Sequence, residues 1–504
     1  MLAALPDTVD LLVVGGGING VGIARDAAGR GLSVLLVDKG DLGGATSSAS
    51  SKLVHGGLRY LEQYEFRLVA EALAEREVLL KAAPHIVRAM PFVMPHVPTL
   101  RPAWMIRAGL LLYDYLARRQ TLPRARPIDL ASDSFGSGLK PGLRRGFLYS
   151  DCWVDDARLV ILTARAAADL GATIAPRTAC IAAHRRAARW EATLCDAGGA
   201  ERAVAARALV NVTGPWAKSF LEKTLGLAAP FDLKLVQGSH ILVPRLFPQD
   251  HAFILQNDDR RVIFVYGYEG CYTLIGTTES EVHDPDGCSP TPAEVDYLVA
   301  AANRYFERQI AAREVAWRYC GIRPLYDDGA ANPSAISRDY VFRIDGRLDE
   351  APVLSVFGGK ITTYRRLAEH ALEKFAPWFR DLRPAWTRAC PLPGGDLGMG
   401  FAQYAAALTV RYPRLPAEHL LAIARRHGTL TERILGNAQH QNNLGMHFGG
   451  GLYAREIDYF VEHEWAHTAE DVLWRRTKMG LHLASDAVQA VTAYIAQRRE
   501  RAVR

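Results

Sequence analysis

The sequence predicts an α/β protein in three parts: an N-terminal parallel sheet with helices, an antiparallel sheet in the middle of the chain, and a helical C-terminal part. Three observations lead to this fold class. The N-terminal region contains a complete strand, glycine loop, helix and strand; residues 231–330 are rich in short strands and turns; and mostly helical sequence follows the proline-rich stretch 390–395. A chain of 504 residues has roughly two to four domains. We expect a boundary near residue 385.

The N-terminal unit carries the strongest local signal. Residues 9–14 are apolar except for Asp10, with a continuous apolar run from Leu11 to Val14 as expected of a strand buried on both faces, and lead into Gly15-x-Gly17-x-x-Gly20. A helix and a second apolar strand follow, ending at Asp38. This order predicts a dinucleotide site, with a pyrophosphate at the helix N-terminus and a ribose hydroxyl on Asp38. An acid here argues against NADP but does not separate NAD from FAD.

Each glycine of the motif has a mechanical reason. Gly15 makes the tight turn, Gly17 lets the backbone approach the pyrophosphate, and Gly20 lets helix and strand pack closely.

Composition limits the classes of function. Apolar residues make up 49%, charged residues 23%, and the net charge of +6 is spread along the chain. This fits an anionic small substrate or an anionic membrane surface, and the absence of a Lys/Arg block disfavours nucleic acid. No run approaches the ~18 apolar residues of a membrane span, and the N-terminus lacks a signal-peptide pattern. We expect a protein that is soluble or lies on a membrane.

The seven cysteines form no CxxC pair and are odd in number. We interpret them as reduced thiols in a cytosolic compartment.

Residues 46–60, "TSSASSKLVHGGLRY", combine small hydroxylated side chains with Lys, His and Arg. Small residues let a backbone approach something flat or charged, and the basic residues indicate that it is negative. Two later turns favour the same kind of contact. A strand ends at Thr213-Gly214-Pro215, and another leads through Gly358-Gly359-Lys360 into a helix whose N-terminus could hold an anion.

Two helical patterns have competing interpretations. Residues 104–119 are apolar with basic ends, so they form a core helix or a membrane-surface helix, and we favour the core. His463-Glu464-Trp465-Ala466-His467 matches a zinc-protease pattern on a predicted helix. The pattern is short and a third ligand is not evident, so we favour a packing helix and expect no metal.

Together these motifs resemble the FAD-dependent glycerol-3-phosphate dehydrogenases of the aerobic, respiratory bacterial type. The resemblance spans nearly the whole chain and is carried by "GGGINGVGIARDAAGRGLSV", "TSSASSKLVHGGLRYLEQYEFRLVAEALAEREVLL", "YSDCWVDDARLV", "VNVTGPW", "CGIRPLYDD", "SRDY", "SVFGGKITTYRRLAEHALEK" and "LWRRTKMG".

The resemblance implies an α/β fold with a Rossmann-like, glutathione-reductase-like FAD-binding domain, an antiparallel β substrate domain and a C-terminal helical cap domain. We place the oxidoreductase region at 1–385, with FAD-binding segments at about 1–100, 145–220 and 335–385 and a substrate segment at about 221–334. The helical domain is expected at 386–504.

The resemblance also implies oxidation of sn-glycerol 3-phosphate to dihydroxyacetone phosphate, by hydride transfer from C2 to flavin N5. Electrons then pass to a membrane quinone from an enzyme peripheral on the cytoplasmic face of the inner membrane, and we expect a homo-oligomer. The alternatives are a peroxide-forming glycerol-3-phosphate oxidase, an amino-acid oxidase of the same fold, or a flavin- or nucleotide-binding module without activity.

The expected substrate residues are cations and a base. Arg59, Lys360 and Tyr60 are expected on the phosphate, with Arg338 as a further cation, and Arg323 and His240 are expected to act on the glycerol hydroxyls. His240 is the expected proton acceptor. His55 is the rival base, more naturally a flavin contact.

The expected cofactor-binding residues are Gly15, Gly17, Ile18, Asn19, Gly20, Asp38, Thr46, Ser47, Ser48, Ser51, Lys52, Leu53, His55, Gly56, Gly57, Thr213, Gly214, Gly358, Gly359, Lys360, Ile361 and Thr362.

Two positions depart from the family's text. Gln237 stands where a Lys is usual, and Tyr266-Gly267 stands in a stretch where Pro-Trp is common. Both are expected near the substrate.

Overall fold

The structure, a computed structural model, describes residues 5–97, 101–117, 121–186, 188–259, 261–327 and 339–503. The strands are β1 Thr8–Val14, β2 Val34–Asp38, β3 Leu53–Val54, β4 Val87–Pro95, β5 Arg126–Asp129, β6 Arg145–Val154, β7 Thr173–Pro176, β8 Thr178–Arg186, β9 Arg189–Asp196, β10 Glu201–Asn211, β11 Asp232–Pro244, β12 Ala252–Gln256, β13 Val262–Tyr268, β14 Tyr272–Gly276, β15 Ser280–Val282, β16 Trp317–Asp327, β17 Val341–Asp345, β18 Val353–Phe357, β19 His447–Gly449 and β20 Leu452–Tyr453.

The helices are α1 Ile18–Gly29, α2 Phe66–Ala82, α3 Ala103–Tyr115, α4 Asp156–Asp169, α5 Ala217–Ser219, α6 Pro292–Tyr305, α7 Tyr364–Lys374, α8 Phe401–Arg411, α9 Ala417–His427, α10 Thr431–Leu435, α11 Ala454–His463 and α12 Ser485–Val503. Shorter helical turns include Thr46–Ser48, Leu58–Gln63, Ile361–Thr363 and Asp471–Arg476.

The first sheet has the order β17-β18-β10-β1-β2-β7, with β9 paired to β10 and β8 to β9. Its central strands β18, β10, β1, β2 and β7 run parallel. Leu11 and Val13 of β1 pack in one core with α1, α4 and α7, whereas Leu12 and Val14 pack in another with Trp190 of β9. Burial on both faces explains the continuous apolar run, and the expected parallel sheet is confirmed.

The second sheet has the order β15-β11-β14-β13-β12-β4-β6-β3, with β16 on β11 and β5 on β6. Its pairs are antiparallel except for β12 with β4. β3, β4 and β6 thus belong to this sheet, although they come from segments 1–100 and 145–220, which we expected in the FAD-binding part. Strand patterns mark a strand but not its sheet, and here β4 joins the second sheet by pairing with β6 along its whole length.

Helix α3 is amphipathic rather than a fully buried core helix. Ile106, Leu110 and Tyr113 are buried, but Trp104 is 73% exposed and Tyr115 is 65% exposed. The core interpretation therefore holds for one face only. Within the described parts of the chain, no helix has both the length and the hydropathy to cross a bilayer.

The C-terminal part has its own core, formed by α8, α9, α10, α11 and α12. It docks on the first part through a buried ion pair between Arg158 of α4 and Glu464, both fully buried. Helix α11 ends at His463, so the expected single helix through His467 is wrong. Glu464 contacts Arg158 instead of a metal, and the described residues contain no cluster of side chains that could hold one.

One disulfide departs from the expectation of reduced cysteines. Cys288 and Cys320 are joined, with an S–S distance of 1.99 Å. The fold brings the two cysteines together, because Cys320 lies on β16, which pairs with β11, and Cys288 lies in the loop that precedes α6. The other five cysteines are free thiols.

Candidate active site

A cavity of about 1370 Å³ lies where the carboxyl ends of parallel strands of the first sheet meet the second sheet. Its lining includes the ends of β1 and β2, at Val14 and Asp38, and the residues that follow β10 and β18, at Val212 and Gly358. Ligands of open α/β sheets bind at such strand ends.

Steric contacts require glycine at two positions of the glycine loop, which lies at this end of the cavity. Gly15 has φ +121°, and a Cβ there would lie 2.4 Å from the carbonyl oxygen of Val212. A Cβ at Gly20 would lie 1.9 Å from the oxygen of Gly15. Neither position accepts a side chain, so the backbone wall stays open to a ligand.

Asp38 holds the loop and borders the cavity. Its two carboxylate oxygens accept hydrogen bonds from the Gly16 amide at 2.6 Å and the Gly40 amide at 2.7 Å. Burial raises the pKa of Asp38, and these two amides act against the rise. Each oxygen keeps a lone pair for a ribose hydroxyl.

The start of α1 is tied to two other predicted segments. The Ile18 amide donates to Ser47 Oγ at 3.0 Å, and Asn19 Nδ2 donates to the Gly358 oxygen at 3.2 Å. Asn19 Oδ1 is buried and accepts no hydrogen bond within the described residues, an acceptor available to a ligand. Gly359 leaves room for Asn19, because a Cβ there would lie 2.9 Å from Nδ2.

The expected dinucleotide fits these residues. The open glycine backbone, the α1 N-terminus and the Asp38 carboxylate form a cradle for a pyrophosphate and a ribose. Of the expected cofactor residues, most line the cavity: Gly15, Gly17, Ile18, Asn19, Asp38, Thr46, Ser47, Ser51, Leu53, His55, Thr213, Gly214, Gly358, Gly359, Lys360, Ile361 and Thr362.

The remaining expected cofactor residues do not line the cavity: Gly20, Ser48, Lys52, Gly56 and Gly57. Gly20 serves packing, as described. Lys52 Nζ binds Asp156 at 2.8 and 3.0 Å and the Ser48 oxygen at 3.0 Å, with both charged side chains buried. Its charge holds the 46–60 stretch in place and is turned away from the cavity.

The other end of the cavity is formed by two neighbouring strands of the second sheet. In the β11–β16 ladder, His240 lies opposite Tyr319 and Val236 opposite Arg323. The four-residue spacing on each strand puts His240 and Arg323 on one face. Both side chains line the cavity.

His240 is held on three sides. Its Nε2 lies 2.9 Å from Ser51 Oγ, and its ring stacks on Tyr319 with centroids 4.8 Å apart. A Cβ at Gly276 would lie 2.1 Å from its Cδ2. Burial, followed by the charges of Lys52 and Arg323, lowers the pKa of His240 to about 3. The imidazole is therefore neutral at neutral pH.

The two expected cations that the structure describes in the cavity lining are Arg323 and Lys360, and Lys234 of β11 lines it as well. Arg323 is 42% exposed, with Nη1 3.7 Å from Glu279 and Nη2 donating to the Thr278 oxygen at 3.4 Å. Lys360 Nζ lies 3.7 Å from the centroid of the Tyr60 ring.

Two expected phosphate ligands are not placed at the cavity. Arg59 is half-buried in the turn that carries Tyr60 but does not line the cavity, so its phosphate contact stays a prediction. Arg338 lies outside the described residues.

The two departures from the family's text lie away from the cavity lining. Gln237 is 5% exposed, and its Nε2 donates to Glu294 Oε2 at 2.9 Å. Its odd position on β11 turns it to the face opposite His240. Tyr266 is buried and its hydroxyl donates to the Ser51 oxygen at 2.8 Å. Tyr266 nevertheless lies one residue behind His240, because Ser51 contacts both, and the expectation that the two positions are near the substrate stays a prediction.

Sequence reasoning missed a group of lining residues at the Asp38 end: Asp41, Arg177, Thr468, Glu470, Asp471 and Arg475. The last four belong to the C-terminal part. The "LWRRTKMG" block contained a signal, since it includes Arg475, but nothing local to it indicates a nucleotide.

Comparison with known proteins agrees with this geometry. The sequence model of the family "FAD dependent oxidoreductase" matches residues 10–365, and that of the "C-terminal domain of alpha-glycerophosphate oxidase" matches residues 385–501.

Several relatives match along nearly their full length. A glycerol-3-phosphate dehydrogenase of Pseudomonas aeruginosa is 52% identical, over 96% of this chain and 94% of the relative. The aerobic glycerol-3-phosphate dehydrogenase of Escherichia coli K12 is 49% identical, over 97% and 98%. A D-erythritol 1-phosphate dehydrogenase of Brucella abortus is 48% identical, over 95% and 96%.

A solved structure agrees in fold. The glycerol-3-phosphate dehydrogenase of Bacillus halodurans, in complex with FAD, superposes with a TM-score of 0.78 at 26% identity, over 97% of this chain and 90% of that one. The expected fold class and cofactor are confirmed. The chain thus belongs to the FAD-dependent oxidoreductases and, among them, to the glycerol-3-phosphate dehydrogenases.

Proposed function

We propose that this enzyme oxidises sn-glycerol 3-phosphate to dihydroxyacetone phosphate and passes the electrons to a membrane quinone. The observation that carries the proposal is one continuous cavity, with a dinucleotide cradle at one end and His240, Arg323 and Lys360 at the other. Bound FAD supplies the chemistry by accepting a hydride from C2 at its N5 atom.

His240 is the group that takes the hydroxyl proton of the substrate. Burial and the charges of Lys52 and Arg323 lower the pKa of His240, so its imidazole is neutral at neutral pH and carries a ring nitrogen without a proton. The dianionic substrate offsets those two positive charges, which raises the basicity of the ring toward that of an effective proton acceptor. The 2.9 Å contact between Nε2 and Ser51 and the stack on Tyr319 fix the imidazole ring, so that its orientation toward the cavity is the same at each turnover. The positive charge of nearby Arg323 stabilises the alkoxide character that develops as the proton leaves.

Phosphate recognition is assigned to several cations together. A hydrogen bond to a charged group contributes only about 1.5–3 kcal/mol net, so a single cation does not hold a well-hydrated dianion. Lys360 and Tyr60 lie together at the cavity wall, and Arg59 and Arg338 remain proposed partners. Arg suits bidentate phosphate contacts, whereas Lys acts as a point charge.

The membrane side of the proposal rests on α3. Its outer face exposes Trp104, Met105, Leu111, Leu112 and Tyr115. Arg107 of α3 is exposed as well, and a helix with an apolar face and basic residues is typical of one lying in an anionic membrane surface. The inner face of α3 packs in one core with Leu58 and Tyr60. The proposed membrane surface is therefore adjacent to a wall of the cavity, where a quinone can collect electrons.

Vesicle binding tests the membrane proposal. We expect co-sedimentation with phosphatidylglycerol vesicles, little with phosphatidylcholine, and loss of binding in Trp104→Ser/Leu112→Ser. The matched control is Val410→Ser, which removes an 81% exposed apolar residue from the surface of α8. Equal binding by all three proteins would remove α3 from the proposal. We also propose a homo-oligomer on the cytoplasmic face of the inner membrane, which sedimentation and cell fractionation test.

The electron acceptor separates this proposal from its rivals. With sn-glycerol 3-phosphate, we expect rapid reduction of a short-chain quinone and little hydrogen peroxide in air. Stoichiometric peroxide would make the enzyme an oxidase, and turnover with amino acids in place of the phosphate would make it an amino-acid oxidase.

A further inference from the structure

A segment of the C-terminal part reaches the Asp38 end of the cavity. Residues 467–476, called the closing segment here, contribute Thr468, Glu470, Asp471 and Arg475 to the cavity lining. The first part of the protein contributes Asp41, in the turn after β2, and Arg177, between β7 and β8. The cavity is therefore walled by both parts of the protein.

Ion pairs fasten the closing segment to the turn after β2. Arg475 Nε lies 2.5 Å from Asp41 Oδ2, and Arg476 Nη2 lies 2.9 Å from Asp41 Oδ1. Arg177, whose amide donates to the Gly40 oxygen at 2.8 Å, binds both oxygens of Asp471 at 2.7 and 2.8 Å. Asp41 is in the same turn as Asp38, so these bonds hold the segment next to the expected ribose acid.

The centre of the network is buried, whereas Glu470 at its edge is 70% exposed. The side chains of Arg476 and Asp471 are fully buried, and Asp41 is 2% exposed. The hydroxyl of Thr468 accepts from the Asp471 amide at 3.2 Å, and Asp471 accepts from the Thr468 amide at 2.9 Å. Opening the segment would leave buried charges without their partners, which is strongly unfavourable.

The charges in this network balance. Three arginines, at 177, 475 and 476, face three acids, at 41, 470 and 471. A balanced polar wall does not select a phosphate. It suits an uncharged group with many hydrogen-bonding atoms, and the adenosine end of a dinucleotide has this chemistry, since its ribose is expected at Asp38.

We propose that the closing segment is the outer wall of the FAD site at its adenosine end, so that FAD binding and docking of the C-terminal part stabilise each other. The coupling is reciprocal by thermodynamic necessity. Docking of the C-terminal part then increases the affinity of the protein for FAD. This holds for any substrate, because FAD affinity is measured without one.

Hydrogen–deuterium exchange on the full-length protein with and without FAD tests the proposal. Bound FAD should slow exchange in peptides that cover 466–477 and leave peptides of α12 unchanged. Unchanged exchange in 466–477, with protection confined to the first sheet, would overturn the proposal whether or not the enzyme oxidises glycerol 3-phosphate.

Two matched variants give an independent measurement. Arg475→Met breaks the pairs with Asp41 and Asp471, and we expect its FAD dissociation constant, from flavin fluorescence, to rise at least about fivefold. Arg498→Met breaks the pair with Asp458 at 2.8 Å within the C-terminal part; neither residue lines the cavity, so this variant should leave the constant unchanged. Equal affinities in both variants contradict the proposal. If Arg475→Met does not fold, the exchange experiment on the unaltered protein still decides.

Discussion

Replacing Gly276 by alanine places one methyl group against the His240 ring, and we expect it to slow flavin reduction about a hundredfold. The added Cβ would lie 2.1 Å from Cδ2 of His240, whereas ordinary contact begins at 3.4 Å. The ring must therefore retreat by about 1.3 Å, because Gly276 is held opposite His240 in the β11–β14 ladder. This displacement breaks the 2.9 Å contact with Ser51. A misplacement of about 1 Å costs roughly 10²-fold in rate.

The assay is anaerobic stopped-flow bleaching of the flavin at saturating sn-glycerol 3-phosphate, with FAD content measured by absorbance. Gly267→Ala on β13 is the matched control. Its Cβ would meet the guanidinium of Arg245 at 2.6–2.8 Å, the far end of a long side chain outside the cavity lining. We expect this variant to reduce its flavin at the normal rate.

Two outcomes would refute the reasoning. A normal rate in Gly276→Ala, with FAD fully bound, would show that the ring position of His240 does not matter to the reaction. Equal slowing in both glycine variants would assign the loss to the sheet rather than to His240.

Three further predictions follow from the same geometry. His240→Gln should lower kcat by about 10²–10⁴-fold while changing KM far less, since it removes the proton acceptor and not a phosphate ligand; steady-state kinetics with a quinone checks this. Arg323→Met should lower kcat/KM by at least about tenfold, with partial recovery in Arg323→Lys, because a charge-assisted contact contributes about 1.5–3 kcal/mol; full activity in Arg323→Met would exclude the role. Acid should destabilise the fold. Burial lowers the pKa of His85 to about 3 and of His251 to about 4. Below pH ~6.5 the unfolded chain therefore binds protons at these two positions that the native state does not bind. The free energy of unfolding falls as the pH falls below this value, by up to about 1.4 kcal/mol per pH unit for each histidine. The midpoint of thermal unfolding should therefore fall between pH 6.5 and 5, less steeply in His251→Phe, and parallel curves for the two proteins would contradict this origin.

The parts of the site that could be predicted are those whose reason is local. Gly15 is needed because its φ of +121° is one that side chains rarely adopt, Gly20 because a Cβ there would meet the oxygen of Gly15, and Asp38 follows from its place at the end of β2. Alternation along a strand is also local. It explains why His240 and Arg323 face the cavity while Gln237 faces away.

The remaining features depend on contacts between distant segments. The stretch 46–60 alone suggests that Lys52 contacts the cofactor, but Lys52 forms an ion pair with Asp156, the first residue of α4. The partner of the Glu464 in the apparent zinc motif is Arg158, also on α4. No pattern within either segment indicates these pairs. The exposed face of α3 is a similar case, since periodicity gives the apolar residues but not the area that the rest of the protein covers.

The same limit applies to the wall of the cavity. The turn after β2 and residues 467–476 are more than four hundred residues apart in the sequence, and their ion pairs exist only after docking. Such a wall is visible in the structure alone.

The measurement that tests the central claim most directly is the visible spectrum of the FAD-loaded enzyme on anaerobic addition of one substrate at a time. We predict that sn-glycerol 3-phosphate bleaches the flavin completely at one equivalent or a small excess, whereas sn-glycerol 1-phosphate, D-erythritol 1-phosphate and amino acids bleach it far more slowly. A flavin that stays oxidised with sn-glycerol 3-phosphate, or that is bleached faster by one of the other compounds, would contradict the proposed function.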